Sequence, residues 1–130
     1  MPAPIRVLLV EDNDVYRGTL EFVLSRRDDV EVVGSVAEGS SAARACAELQ
    51  ADVAVVDYRL PDLDGPDVAA AIRERATRAA VVFLSASAGA EEREAARIAG
   101  ARLVRKDEGV DALVQAVHAA ARDGRNEADD

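Results

Sequence analysis

The 130-residue sequence has no tryptophan, one cysteine, one lysine and only four aromatic side chains, two Tyr and two Phe. Cys46 has no partner for an internal disulfide, which excludes a disulfide-held secreted scaffold and makes a reducing cytosol the expected compartment. Long apolar runs are missing as well. The longest, such as Val7–Val10 and Ala79–Leu84, are strand-sized, against the ~20 residues a membrane helix needs. The opening Met-Pro-Ala-Pro-Ile-Arg-Val has neither the basic start nor the apolar stretch of a signal peptide. Positive charge is also scarce: 16 basic against 25 acidic residues give a net charge of −9. A duplex is itself densely negative, so the chain is not expected to grip nucleic acid.

What is present is an ordinary globular composition, 49% hydrophobic and 32% charged, at a length suited to one domain. Short apolar runs alternate with helix-like stretches. The runs are Ile5–Val10, Val30–Val33, Val53–Val56, Ala80–Leu84 and Leu103–Val104. Most are nearly continuous in Val, Leu and Ile, as in parallel strands buried on both faces. The second carries Glu31 in its middle and reads as an edge strand.

Between the runs, Tyr16, Leu20, Val23 and Leu24 form one helical stripe, and Val110, Leu113, Val114, Val117 and Ala121 another. A third helix is announced by Pro61-Asp62-Leu63-Asp64-Gly65-Pro66, a turn with proline near the first helical position. Glu91 to Ala99 has Ile98 as its one large apolar residue and reads as a helix loosely held by the core, hence able to move. Five βα units predict a doubly wound, five-stranded parallel sheet of order 2-1-3-4-5 flanked by five helices. Residues 1–124 are expected to form the domain and 125–130 a polar, disordered tail.

Four polar features follow the ends of four strands: Glu11-Asp12, Asp57, Ser85 and Lys106. In such sheets, ligands bind beyond the carboxyl ends of the strands at the switch point of strand order. Two carboxylates ~4 Å apart repel by about 4 kcal/mol at an effective dielectric of 20. A divalent cation would remove that cost, and oxygen-only donors favour Mg²⁺, or Mn²⁺, over Zn²⁺. Fifteen of the sixteen basic residues are Arg, so the lone Lys106 marks a place where a compact ammonium is wanted, suited to a phosphate-like oxygen. A carboxylate nucleophile, a cation, a hydroxyl and an ammonium together suit phosphoryl transfer.

These residues resemble the receiver domain of bacterial two-component response regulators. The resemblance is carried by Glu11-Asp12 after Val-Leu-Leu-Val, by Asp57-Tyr58-Arg59-Leu60-Pro61 with Asp64-Gly65, by Leu84-Ser85-Ala86 and by Arg105-Lys106-Asp107. It covers about residues 5–123 and implies a flavodoxin-like, CheY-like fold. It further implies that Asp57 is the phosphoacceptor, charged by a sensor histidine kinase. Asp12 and Asp57 would bind Mg²⁺ directly, Glu11 through water and Arg59 by its main-chain carbonyl. Lys106 would pair with the acceptor and then the phosphoryl oxygens, and Ser85 would swing in to hydrogen-bond them. Ala86 would leave access open.

Leu103 stands where the family usually has an aromatic switch residue, and Asp107 replaces a frequent proline. With Val32-Val33-Gly34 and the Ala-rich last helix, these features look like receivers of the NarL/LuxR type, attached to helix-turn-helix regulators. The implied partners are the kinase, a downstream effector protein or an effector domain, and a second copy through the first and last helices or the fourth. Catalysis would be limited to the domain's own phosphotransfer and autodephosphorylation.

Three other readings fit the residues less well. A metal-dependent phosphatase of the haloacid dehalogenase type needs an Asp two residues after the nucleophile, where Arg59 stands. A flavodoxin-type cofactor binder needs a first loop rich in Ser, Thr and Gly, where Glu11-Asp12-Asn13-Asp14 would repel phosphate. A phosphorylation-independent interaction module stays open because of Leu103. Cys46, Tyr16 and Tyr58 read as packing residues, Tyr58 also as a candidate wall of the acceptor pocket, and His118 as a solvated or half-buried helix position without a ligand cluster.

Overall fold

A computed structural model describes residues 3–75 and 78–129, with side chains through Gly124. In chain order it contains β1 (Ile5–Val10), α1 (Asp14–Ser25), β2 (Val30–Val36), α2 (Ala42–Leu49), β3 (Val53–Asp57), α3 (Gly65–Glu74), β4 (Ala80–Ser85), α4 (Ala90–Ala99), β5 (Arg102–Arg105) and α5 (Val110–Asp129). Single 3₁₀ turns cover Gly39–Ser41 and Lys106–Glu108. The sheet order is β2-β1-β3-β4-β5 and every pairing is parallel, the doubly wound arrangement the alternation predicts, with β2 at an edge.

Because successive strand residues face opposite ways, the central strands feed two cores. Leu9, Val55, Val82 and Val104 pack beneath Leu20 and Leu24 of α1 and Leu113, Val114 and Val117 of α5. Leu8, Val10, Val56 and Phe83 pack against Cys46 of α2, Val68 and Ile72 of α3 and Ala96 of α4. Each such side chain, fully buried, contributes roughly 1.5–3 kcal/mol. That double burial is why the runs are apolar throughout. Cys46 is one of these core residues, and burial pushes its thiol up to about 11.

Local signals set the helix starts. Asn13 caps α1 by accepting from the Tyr16 N–H at 2.9 Å. Asp64 caps α3 by accepting from Asp67 N–H at 3.2 Å, with Pro66 in the first turn.

Two expectations need correction. β2 runs on to Val36, because the register slips after Val7, skipping Val33 to pair Leu8 with Gly34. A Cβ at Gly34 would lie 2.6 Å from Leu49 Cδ1, so glycine is what lets α2 sit against the extended strand. Ile98, the one large apolar residue of α4, is 68% exposed, and Glu92 and Ala96 are buried instead, so little apolar surface of this helix enters the core. Glu92 is tolerated there because its carboxylate accepts from Gly89 N–H at 2.7 Å and closes the helix start. The backbone of α5 continues through 125–129, the segment that polarity sets apart as a tail. An established helix extends at one hydrogen bond per residue fixed, without a new nucleus.

His118 is half-buried, as expected, but it is engaged. Its Nε2 lies 2.7 Å from Asp29 Oδ2, while Arg27 bridges Asp29 at 3.1 Å and Asp111 at 3.6 Å. The cluster ties the α1–β2 loop to α5. Hydrogen bonds from Arg27 and His118 lower the Asp29 carboxyl from 3.8 to about 2. A depressed carboxyl stabilises the fold above its unfolded pKa and stops doing so as pH falls through its folded one. Asp29→Asn is therefore expected to flatten the stability profile between about pH 4 and pH 2 and to cost less than about 1 kcal/mol at pH 7, as exposed pairs do. Urea midpoints across that window check it; an unchanged acid slope contradicts it.

Candidate functional site

Neighbouring strands deliver the site residues by register. Val10 pairs with Val56, so Glu11 and Asp57 emerge side by side at the ends of β1 and β3. Asp57 pairs with Leu84 and Ser85 with Arg105, which puts Ser85 one residue beyond the row of Asp57 and Lys106 one beyond that. The end of the sheet therefore carries, in spatial order, an acid pair, an acid, a hydroxyl and an ammonium.

Glu11, Asp12 and Asp57 bring carboxylate oxygens within 4.8 Å of one another. Glu11 and Asp57 are buried, at 3% and 8% exposure, and Asp12 is exposed. Lys106 Nζ donates to Glu11 Oε1 and to Asp57 Oδ2, both at 3.1 Å. The second Glu11 oxygen accepts from Asn13 N–H at 3.1 Å, and Asp57 Oδ1 from Arg59 N–H at 3.2 Å. Burial pulls the Lys106 ammonium down, but the hydrogen bonds to Asp57 and Glu11 outweigh it and hold its pKa above the ordinary value.

One ammonium against three carboxylates leaves the cluster with surplus negative charge. The donor set is all oxygen, hard and anionic, and it suits Mg²⁺ or Mn²⁺.

The other expected residues lie around this centre. Ser85 is buried, its Oγ accepting from Ser87 N–H at 3.3 Å, and Ala86 beside it is exposed. Arg59 is exposed, its guanidinium 5.7 Å from the Tyr58 ring centroid. Leu103 is half-buried on β5, paired with Phe83 of β4. Tyr58 does not face the acceptor. It turns into the opposite core and meets Phe83 edge-on, with ring centroids 5.7 Å apart. Gly65 makes room for this pair, since a Cβ there would lie 3.1 Å from both the Phe83 ring and Tyr58 Cα.

Two residues belong to the site that sequence reasoning left out. Arg17 donates to the Glu11 carbonyl at 2.7 Å and to Asp14 at 2.8 Å, strapping α1 to the acid pair. Tyr16, read as packing, lays its ring beside the Lys106 ammonium, 4.7 Å from centroid to Nζ. The Asn13 cap was the available signal for where α1 begins, and hence for which side chains of its first turn face the acids. No spacing rule links residue 16 to residue 106.

Comparison with known proteins places these features in a family. Residues 7–118 match the response regulator receiver domain. A protein-glutamate methylesterase/protein-glutamine glutaminase from Myxococcus xanthus is 43% identical over 89 residues, 68% of this chain and 25% of that protein. A NarL-type transcriptional regulatory protein from Mycobacterium tuberculosis is 35% identical over 85 residues, 65% of this chain and 39% of that protein. The chain thus spans well under half the length of these curated relatives. Among solved structures, the signal receiver domain of NarL from Mycobacterium tuberculosis superposes with a TM-score of 0.86 at 32% identity, covering 93% of this chain and 98% of that one. The response regulator domain of Thermotoga maritima CheB gives 0.82 at 27% identity, covering 92% and 97%.

Proposed function

The chain belongs to the response regulator receiver domain family, and from that membership we propose that it is a switch thrown by phosphorylation of Asp57. The observation that carries this reading is Lys106 Nζ shared at 3.1 Å between Asp57 and Glu11 in a cluster of three carboxylates. The donor is the phosphohistidine of a sensor kinase. An Asp57 oxygen forms the new O–P bond with its lone pair while the P–N bond breaks, and the imidazole nitrogen keeps that pair and takes a proton.

When bound, Mg²⁺ supplies charge neutralisation to the transferring group's oxygens. Asp12 and Asp57 would hold it directly, Glu11 through water and Arg59 by its main-chain carbonyl. Lys106 pairs with Asp57 before transfer and with a phosphoryl oxygen after it. The Ser85 hydroxyl donates to another, and Ala86 beside it leaves the donor a way in.

Phosphorylation adds roughly two negative charges to a site already negative. The element that answers is α4, whose buried residues are Glu92 and Ala96, so little apolar contact resists its movement. With Leu103 in place of an aromatic, the signal travels by packing against Phe83 rather than by a swinging ring. The output is a partner protein or an attached effector, as the longer relatives suggest, and the compartment is the cytoplasm. Among the described residues no helix is long and apolar enough to cross a membrane. Leu103 also favours a second reading, an interaction module indifferent to phosphate, whose association with a partner would not change with Mg²⁺ and a phosphodonor.

The chemical class of the product tests the assignment to Asp57. Incubation with Mg²⁺ and acetyl phosphate is expected to give a phosphoryl adduct that hydroxylamine removes, as it does an acyl phosphate. An adduct stable to hydroxylamine would place the group on a hydroxyl or an amine and overturn the assignment.

A further inference from the structure

Lys106 sits in the site on a flexible four-carbon stem, and two carboxylates alone do not fix a point charge in one direction. The structure supplies a third contact. Tyr16 Cβ and ring project from the first turn of α1, where the Tyr16 N–H is held by Asn13 Oδ1 at 2.9 Å, and the ring centroid stands 4.7 Å from Nζ. That is inside the ~6 Å reach of a cation–π contact. The ring and Lys106 together line a small, mostly apolar cleft of about 160 Å³ with Leu20, Leu84, Val110 and Leu113, and the ring packs against the edge of that core cluster. Lys106 itself opens a 3₁₀ turn anchored by Arg105 N–H donating to Glu108 at 2.6 Å. Burial raises the Tyr16 phenol most, Lys106 opposes it, and Glu11 and Asp57 add to it. The ring therefore lies within the field of the acidic site.

We propose that Tyr16 is a positioning residue for Lys106: its ring holds the ammonium between Asp57 and Glu11 and so sets the rate of phosphoryl transfer without touching the phosphoryl group. This rests on Asp57 being the acceptor. Tyr16 acts through the lysine, so its effect belongs to the saturating rate and not to the donor concentration at half-saturation.

The test is a double-mutant cycle on the full chain, with acetyl phosphate and Mg²⁺ as the probe. Tyr16→Phe keeps the ring face and is expected to label within about twofold of the wild type. Tyr16→Leu is expected to be roughly 3- to 30-fold slower, the span of a cation–π contact expressed as a rate. In a Lys106→Ala background the Tyr16→Leu change is expected to have no further effect. Urea midpoints of the same four proteins, without donor or metal, are expected to show the same pair coupled at rest. Tyr16→Met replaces Tyr16→Leu if circular dichroism shows the latter unfolded.

Equal slowing with and without Lys106, or Tyr16→Phe as slow as Tyr16→Leu, overturns the inference and leaves the phosphoacceptor reading standing. A wild-type protein that takes no phosphoryl group overturns both.

Discussion

Asp57→Asn is expected to take no phosphoryl group from Mg²⁺ and a small phosphodonor, under conditions that label the wild type at one group per chain. The substitution keeps the shape of the side chain and its hydrogen bond from Arg59 N–H. It removes the anionic lone pair that forms the O–P bond, and an amide oxygen is no substitute. It also takes one of the three carboxylates from the cluster, so the gain in melting temperature on adding Mg²⁺ should shrink in the same variant. The fold should survive, because Asp57 lies at the end of β3 and the apolar residues of the strand precede it. Labelling equal to wild type, measured by intact mass, would show that the acceptor lies elsewhere.

The largest loss of stability is expected from Phe83→Ala, about 3–5 kcal/mol, a sizeable share of the roughly 5–15 kcal/mol that holds a domain together. Phe83 is fully buried on β4, an interior strand between β3 and β5. Its ring meets the edge of Tyr58, pairs across β5 with Leu103, and sits where Gly65 gives up its side chain. Removing it opens a cavity directly beneath the loop that follows the acceptor, a loop otherwise closed by Gly65 N–H donating to the Tyr58 carbonyl at 2.7 Å. Urea unfolding measures the loss. A cost under about 1.5 kcal/mol would mean that the core collapses around the gap, and that Phe83 does not hold this loop in place.

The sheet order and the site were legible because both follow from periodicity and topology. Nearly continuous Val, Leu and Ile runs mark doubly covered strands, and once β1 and β3 are neighbours, Glu11 and Asp57 have to meet. The single lysine among fifteen arginines pointed to residue 106 for chemical reasons, and its Nζ lies on the acids. What was not legible depends on contacts between distant parts of the chain. Which face of α4 turns inward was not legible either: Ala96 and the capping Glu92 are buried while Ile98, its one large apolar residue, is exposed. The register slip beside Gly34 is paired with the close approach of Leu49, fifteen residues away. The contact between Tyr16 and Lys106 joins the first helix to the last strand's end, and no local pattern encodes it. His118 read as unpartnered because Asp29 lies far off in sequence and close in space.

The most direct measurement of the central claim is the intact mass of the wild-type chain after acetyl phosphate, with Mg²⁺ and with Mg²⁺ removed by a chelator, followed by mapping of the modified peptide. The account expects one phosphoryl group, added when Mg²⁺ is present, not added when Mg²⁺ is chelated beforehand, and carried on the peptide containing Asp57. An adduct that forms equally without a divalent cation, or one that maps to a peptide without Asp57, would contradict it.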